Sequence, residues 1–190
     1  MVSQIKVNEI IKQSGSSISI GESGDTINIG TTGDTVNLAG SAYATAETMT
    51  PSFQAYMNGN QSLANTTYTK MEMDTEVYDT DSKYDTSNYR FTPGTAGKYW
   101  VWAKFRMDTG TDIAASIIAV YKNGSLISKF TQFQTNSTTR AFGQVIRLDA
   151  DDYIELYGYQ NGGSSENVNG GAEEDQDTGH WGAYRITGVT

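Results

Sequence analysis

Cysteine is absent from this sequence. That excludes a disulfide framework and thiolate metal sites. It favours a chain folded in a reducing cytosol, or one stabilised by oligomerisation. Histidine occurs once, at His180. A nucleophilic triad needs an imidazole base, and this lone histidine, beside Trp181 in an expected strand, reads as structural. Charged residues make up only 18% of the chain, and there are two prolines. Basic charge is scarce: 13 Lys and Arg stand against 22 Asp and Glu, a formal net charge of −9. So acidic a surface repels phosphate backbones and anionic lipid, and neither nucleic acid nor a membrane is expected as a partner. No stretch reaches the roughly 20 apolar residues that span a bilayer. The charges that interrupt the first dozen or so residues do not fit the apolar core of a signal peptide.

The chain is instead rich in glycine (20 residues), tyrosine (12 residues), Thr, Ser and Asn. This is the composition of an all-β chain with many turns. Four regions succeed one another. Residues 1–15 hold an apolar-rich segment, Ile5 to Ile11, that fits a short strand or one helical turn. It reads either as an attachment segment or as the ordered end of the adjoining stem. Residues 16–40, the stem, repeat: Ile18, Ile27 and Val36 recur at a period of nine, as do Ile20, Ile29 and Leu38. Each unit is apolar–polar–apolar, a short strand with one buried face, and Gly24-Asp25 and Gly33-Asp34 supply the turns. Rungs so short bury too little to offset the entropy of ordering them. The stem therefore needs partner chains around a shared core made by those six residues. A calcium-binding nonapeptide roll shares the period, but its paired glycines are missing. Residues 41–52 read as a linker, or as a short helix across Thr45–Met49, and residues 53–190 as a head.

The head breaks into short candidate strands separated by explicit turns. The candidates are Phe53–Met57, Tyr68–Asp74, Asn88–Phe91, Gly97–Arg106, Ala114–Lys122, Ser125–Gln134, Thr138–Leu148, Tyr153–Tyr159 and Gly179–Ile186. Lys122-Asn123-Gly124-Ser125 is a hairpin signal, and residues 160–178 read as one long acidic loop. So many short strands indicate a β-sandwich, with the jelly roll as leading form. Two strands carry large residues on both faces. In Gly97–Arg106, Tyr99, Val101, Ala103 and Phe105 oppose Trp100, Trp102, Lys104 and Arg106; in Tyr153–Tyr159, Ile154 and Leu156 oppose Tyr153, Glu155, Tyr157 and Tyr159. A second face rich in Trp and Tyr is expected at an interface rather than in solvent.

Carboxylates cluster at Asp79/Asp81/Asp85, Asp149/Asp151/Asp152 and Glu173/Glu174/Asp175/Asp177. All fall in expected turns. A carboxylate pair could serve glycoside hydrolysis, but solvated loop charge accounts for most of them, and no catalytic residue is assigned. No cofactor is assigned either. Calcium, through Glu173, Glu174, Asp175 and Asp177, is the one metal these oxygen-rich loops could hold.

The run from Tyr84 through Asn88, Phe91, Pro93, Gly97 and Tyr99 to Val101 resembles the signature of complement component 1q globular heads. That family belongs with the tumour necrosis factor superfamily. Val120–Gly124 looks like its mid-domain hairpin, Leu148–Leu156 like its turn and following strand, and His180–Ile186 like its closing strand with the aromatics displaced. The resemblance spans nearly all of residues 53–190. It implies a trimeric jelly-roll head whose inner sheet packs around a threefold axis. Trp100, Trp102, Lys104, Glu155, Tyr157, Tyr159, Trp181 and Tyr184 are then expected at the trimer interface. No collagen stalk precedes the head. A β-repeat stem bearing such a head looks like bacteriophage virion proteins, so the chain is expected to be a non-enzymatic homotrimer at the virion surface. There it would be a capsid decoration or short fibre, held to capsid or tail proteins through its N-terminal segment. The alternative is the knob of a tail fibre used for host attachment, binding a receptor or host surface glycan.

Overall fold

The computed structural model describes residues 49–108, 114–132, 138–175 and 177–186. The attachment segment, the stem with Ile18, Ile20, Ile27, Ile29, Val36 and Leu38, and most of the linker lie outside the described residues.

The head is a sandwich of two sheets. One sheet contains β1 (Ser52–Tyr56), β2 (Gln61–Leu63), β4 (Thr75–Asp79), β7 (Gly97–Asp108), β10 (Thr138–Leu148), β12 (Glu166–Val168) and β13 (His180–Ile186). The other contains β3 (Thr69–Lys70), β5 (Tyr84–Asp85), β6 (Arg90–Phe91), β8 (Ser116–Lys122), β9 (Ser125–Gln132) and β11 (Ile154–Gln160). In the first sheet the order β10–β7–β13–β1–β4 is antiparallel throughout, and β12 and β2 extend it beyond the end of β13 along β7. In the second the order is β5–β6–β11–β8–β9, with β3 beside β6 on the same edge of β11.

Side-chain alternation builds the core between them. Tyr99, Val101, Ala103, Phe105 and Met107 of β7 point inward and are buried, while Trp100, Trp102, Lys104 and Arg106 point outward and are half-buried. Phe53 is the hub: its ring stacks on Tyr84 at 4.5 Å and Phe91 at 4.7 Å, and meets Trp181 edge-on at 5.1 Å. Such pairs add about 0.5–1.5 kcal/mol each beyond area burial. The Tyr84 hydroxyl, carried into this core, donates to the Met73 carbonyl at 2.8 Å.

The β8–β9 hairpin turns at Asn123-Gly124, whose φ angles of 51° and 77° are those of the twisted two-residue turn that the Asn-Gly pair favours. Asp152 locks this turn to the one before β11. Its carboxylate takes Lys122 Nζ at 2.5 Å, Asn123 Nδ2 at 2.6 Å and the Asp149 amide at 2.7 Å. These bonds, led by that from Lys122, pull its pKa from 3.8 down to about 2.

Two expectations need correction. Residues 160–178 are not one loop: β12 interrupts them, pairing with β2 and the end of β7, with Val168 fully buried. Three residues are too few to show a strand period. The strand expected over Tyr68–Asp74 shrinks to β3; just beyond it the Met71 amide still donates to the Leu156 carbonyl of β11 at 2.9 Å, and the Met71 and Met73 side chains are buried in the core.

Candidate assembly interface

The outer face of the first sheet is a set of cross-strand rows. Trp102 stands between Gly143 of β10 and Gly182 of β13, with Gln54 and Tyr78 continuing the row. Trp100 stands between Val145 and Tyr184, with Ser52 next in line. Lys104 stands between Ala141 and His180, with Tyr56 beyond.

Both tryptophans lie down on this face. A Cβ on Gly143 would stand 2.7 Å from Trp100 Cζ2, and one on Gly182 would stand 3.0 Å from Trp102 Nε1. Glycine in a strand interior weakens the strand and marks a close approach. Here the approach is by an indole. The result is a flat aromatic plateau, with Tyr78 44% and Val145 46% exposed at its margins.

At one end of the plateau His180 is buried. Gln54 Nε2 lies 3.4 Å from its Nδ1, and the Tyr56 ring lies 5.8 Å away. Burial, then the Lys104 ammonium opposite, lowers the imidazole pKa, while a backbone hydrogen bond to Glu173 acts the other way.

The structure gathers Trp100, Trp102, Lys104 and Tyr184 on this plateau and places Glu155, Tyr157, Tyr159 and Trp181 elsewhere. Trp181 points into the core, with 0% exposure. It differs from Tyr184 by an odd number of positions, so the pleat puts the two on opposite faces. Glu155, Tyr157 and Tyr159 point outward, as their alternation predicts, but β11 belongs to the second sheet. They lie on the opposite outside of the sandwich from Trp100 and Trp102. Tyr56, Gln54, Tyr78, Gly143 and Gly182 were not anticipated. The signals for them are the outward parity of Ser52–Tyr56 and the glycines inside strands.

The calcium candidates do not assemble. Asp177 forms an ion pair with Arg106, Asp175 Oδ1 accepts the Asp177 amide at 3.0 Å, and Glu173 and Glu174 are exposed. Among the described residues no group of three His, Cys, Asp or Glu is placed to hold a metal ion.

Solved structures share this fold. The globular domain of zebrafish complement 1qA superposes with a TM-score of 0.51, covering 72% of this chain and 97% of that one at 12% identity. Murine APRIL superposes with a TM-score of 0.50, covering 71% of this chain and 98% of that one at 11% identity. The fold is a jelly roll of the complement 1q and tumour necrosis factor type. No family model matches the chain. In sequence it is similar to the phage-like element PBSX protein XkdV of Bacillus subtilis (strain 168), 27% identical over 129 residues. That match takes in 63% of this chain and 18% of the relative's length. In jelly-roll terms the plateau is the outer surface of the sheet built from the first, last and longest strands.

Proposed function

We propose that the chain is a structural protein of a bacteriophage virion surface, a homotrimer that displays this jelly-roll head. The observation that carries the reading is a pair of unlike apolar surfaces on one subunit. One is the Trp100–Trp102 plateau. The other is the open edge of the sandwich, where β9 presents Leu126, Ile127 and Phe130 at 42%, 43% and 46% exposure. Ser128 Oγ bridges that edge by donating to Gln144 Oε1 of β10.

A cyclic trimer needs unlike surfaces, because each subunit meets one neighbour with one patch and the next neighbour with another. The edge of one head against the plateau of the next supplies both. Charged residues are few at the centre of the plateau, as in the cores of interfaces. The likeness to a phage-like element protein supports the virion setting. The stem at residues 16–40 would extend the trimer, and residues 1–15 would fasten it to capsid or tail proteins.

The test is light scattering on the purified full chain at micromolar concentration, paired with labelled electron microscopy of virions. Three chains per particle and label at the virion surface are expected. A clean monomer overturns the trimer, and unlabelled virions overturn the setting.

A further inference from the structure

The second sheet carries an aromatic surface of a different kind, on the side of the sandwich away from the plateau. Tyr121 and Tyr157 have ring centroids 4.1 Å apart, Tyr68 and Tyr159 are 4.9 Å apart, and Tyr68 and Tyr121 are 6.1 Å apart. Four half-buried rings thus form one continuous cluster. Beneath them lie Ala119 and Ile117, the register partners of Tyr157 and Tyr159, at 0% and 7% exposure. Neither belongs to the core between the sheets. The tyrosines roof them, and that packing holds the rings in place before any ligand arrives, which lowers the ordering cost of binding.

The polar equipment is equally specific. Lys70 Nζ lies 2.5 Å from Glu155 Oε1, and the Tyr157 hydroxyl lies 3.5 Å from Glu155 Oε2. Arg90, opposite Glu155 in register, stacks its guanidinium 5.0 Å from the Tyr153 ring centre. Among the described residues the hydroxyls of Tyr68, Tyr121 and Tyr159 have no protein hydrogen-bond partner. Lys70, Arg90 and Lys129 share this face with Glu155 and Asp85. On a chain of net charge −9, cations therefore outnumber carboxylates here.

We propose that Tyr68, Tyr121, Tyr157 and Tyr159 form a platform for a polysaccharide bearing acidic substituents. A pyranose ring has an apolar C–H face and a rim of hydroxyls. The first stacks on the tyrosine rings, and the rim meets the free phenol hydroxyls, Lys70 and Glu155. Arg90 and Lys129 answer the acidic groups. A protein partner calls for a centre depleted of charge, which the plateau has; here an ion pair sits at the ring cluster. The four rings stand on β8, β11 and the residue before β3, not on β9, whose edge the proposed trimer would use.

The experiment titrates the full chain by calorimetry with two probes, hexagalacturonate (acidic) and N-acetylchitohexaose (neutral). Saturable binding is expected, tighter for the acidic probe. Tyr157→Ala should lower its affinity about tenfold while leaving the chain count per particle unchanged. Tyr157→Phe, which keeps the ring and the fold, should retain most of the affinity. Binding of neither probe overturns the proposal. So does a preference for the neutral probe, or affinity that survives Tyr157→Ala. A fall in chain count with Tyr157→Ala overturns it in favour of a contact between copies of the chain.

Discussion

Trp100 lies over Gly143, its Cζ2 only 2.7 Å from where a Cβ on that residue would stand. The indole occupies the space a side chain on β10 would take, so the sheet presents ring surface at that point. What Gly143 contributes is the vacancy.

Filling that vacancy is the first test. In Gly143→Ala the methyl meets only the far edge of an indole, which can shift. The subunit should therefore keep its melting temperature within about 2 °C, while the plateau roughens. Sedimentation equilibrium should show weaker association. Unchanged association would remove the plateau from the interface.

Gly182→Ala should behave differently. Its Cβ would stand 2.6 Å from the Phe53 carbonyl oxygen, which is backbone. Strands β1 and β13 would have to part, and overpacking of this kind costs about 1–3 kcal/mol. The melting temperature should fall by about 3–10 °C, as read by calorimetry.

The two neighbouring strands also separate assembly from folding. Trp102→Asp places a charge in the expected contact and should weaken it by at least ~2 kcal/mol, about thirtyfold, with circular dichroism unchanged. Trp181→Ala empties the core beside Phe53 and should cost about 3–5 kcal/mol of stability. A folded Trp102→Asp trimer would show that the plateau is not the contact.

Acid should act on Asp152 at low pH. Its carboxyl is held at about 2 against an ordinary 3.8. The linked stability is whole above 3.8 and drains as pH falls towards 2, on the order of 2 kcal/mol at most. Asp152→Asn should lose it at neutral pH and flatten the stability profile between about pH 4 and 2 in urea titrations.

His180 should respond at milder pH. Its pKa is lowered from 6.5, first by burial and then by Lys104. The neutral ring is the form that folding favours. Stability is therefore full above pH 6.5 and declines as pH falls below it. Protonation puts a second cation beside Lys104 and ends any acceptance by Nδ1 from Gln54. Melting temperature should drop as pH falls below about 6.5, and His180→Gln should flatten that drop.

The fold was largely legible because alternation and turn chemistry are local. β7 announced both of its faces, and Asn123-Gly124 announced its hairpin. Strands of two or three residues, such as β5 and β12, were not legible, since a period needs more positions. Half of the residues expected together at the interface lie elsewhere, for a physical reason. Alternation separates inward from outward within a strand, but it does not say which sheet a strand joins. Tyr157 and Trp102 both point outward, and only pairing reveals that their outsides are opposite. Trp181 was a different matter: its parity against Tyr184 already put the two on opposite faces.

The open edge has a consequence for how such a chain must be made. Among the described residues β9 and β10 each have a strand neighbour on one side only, and such edges present unpaired amides and carbonyls. A head-to-edge contact that fails to close into a ring runs on as a filament. If the proposed trimer forms, newly made subunits would be in a race, with closed particles at one finish and insoluble polymer at the other. Slow synthesis would tilt that race towards closure.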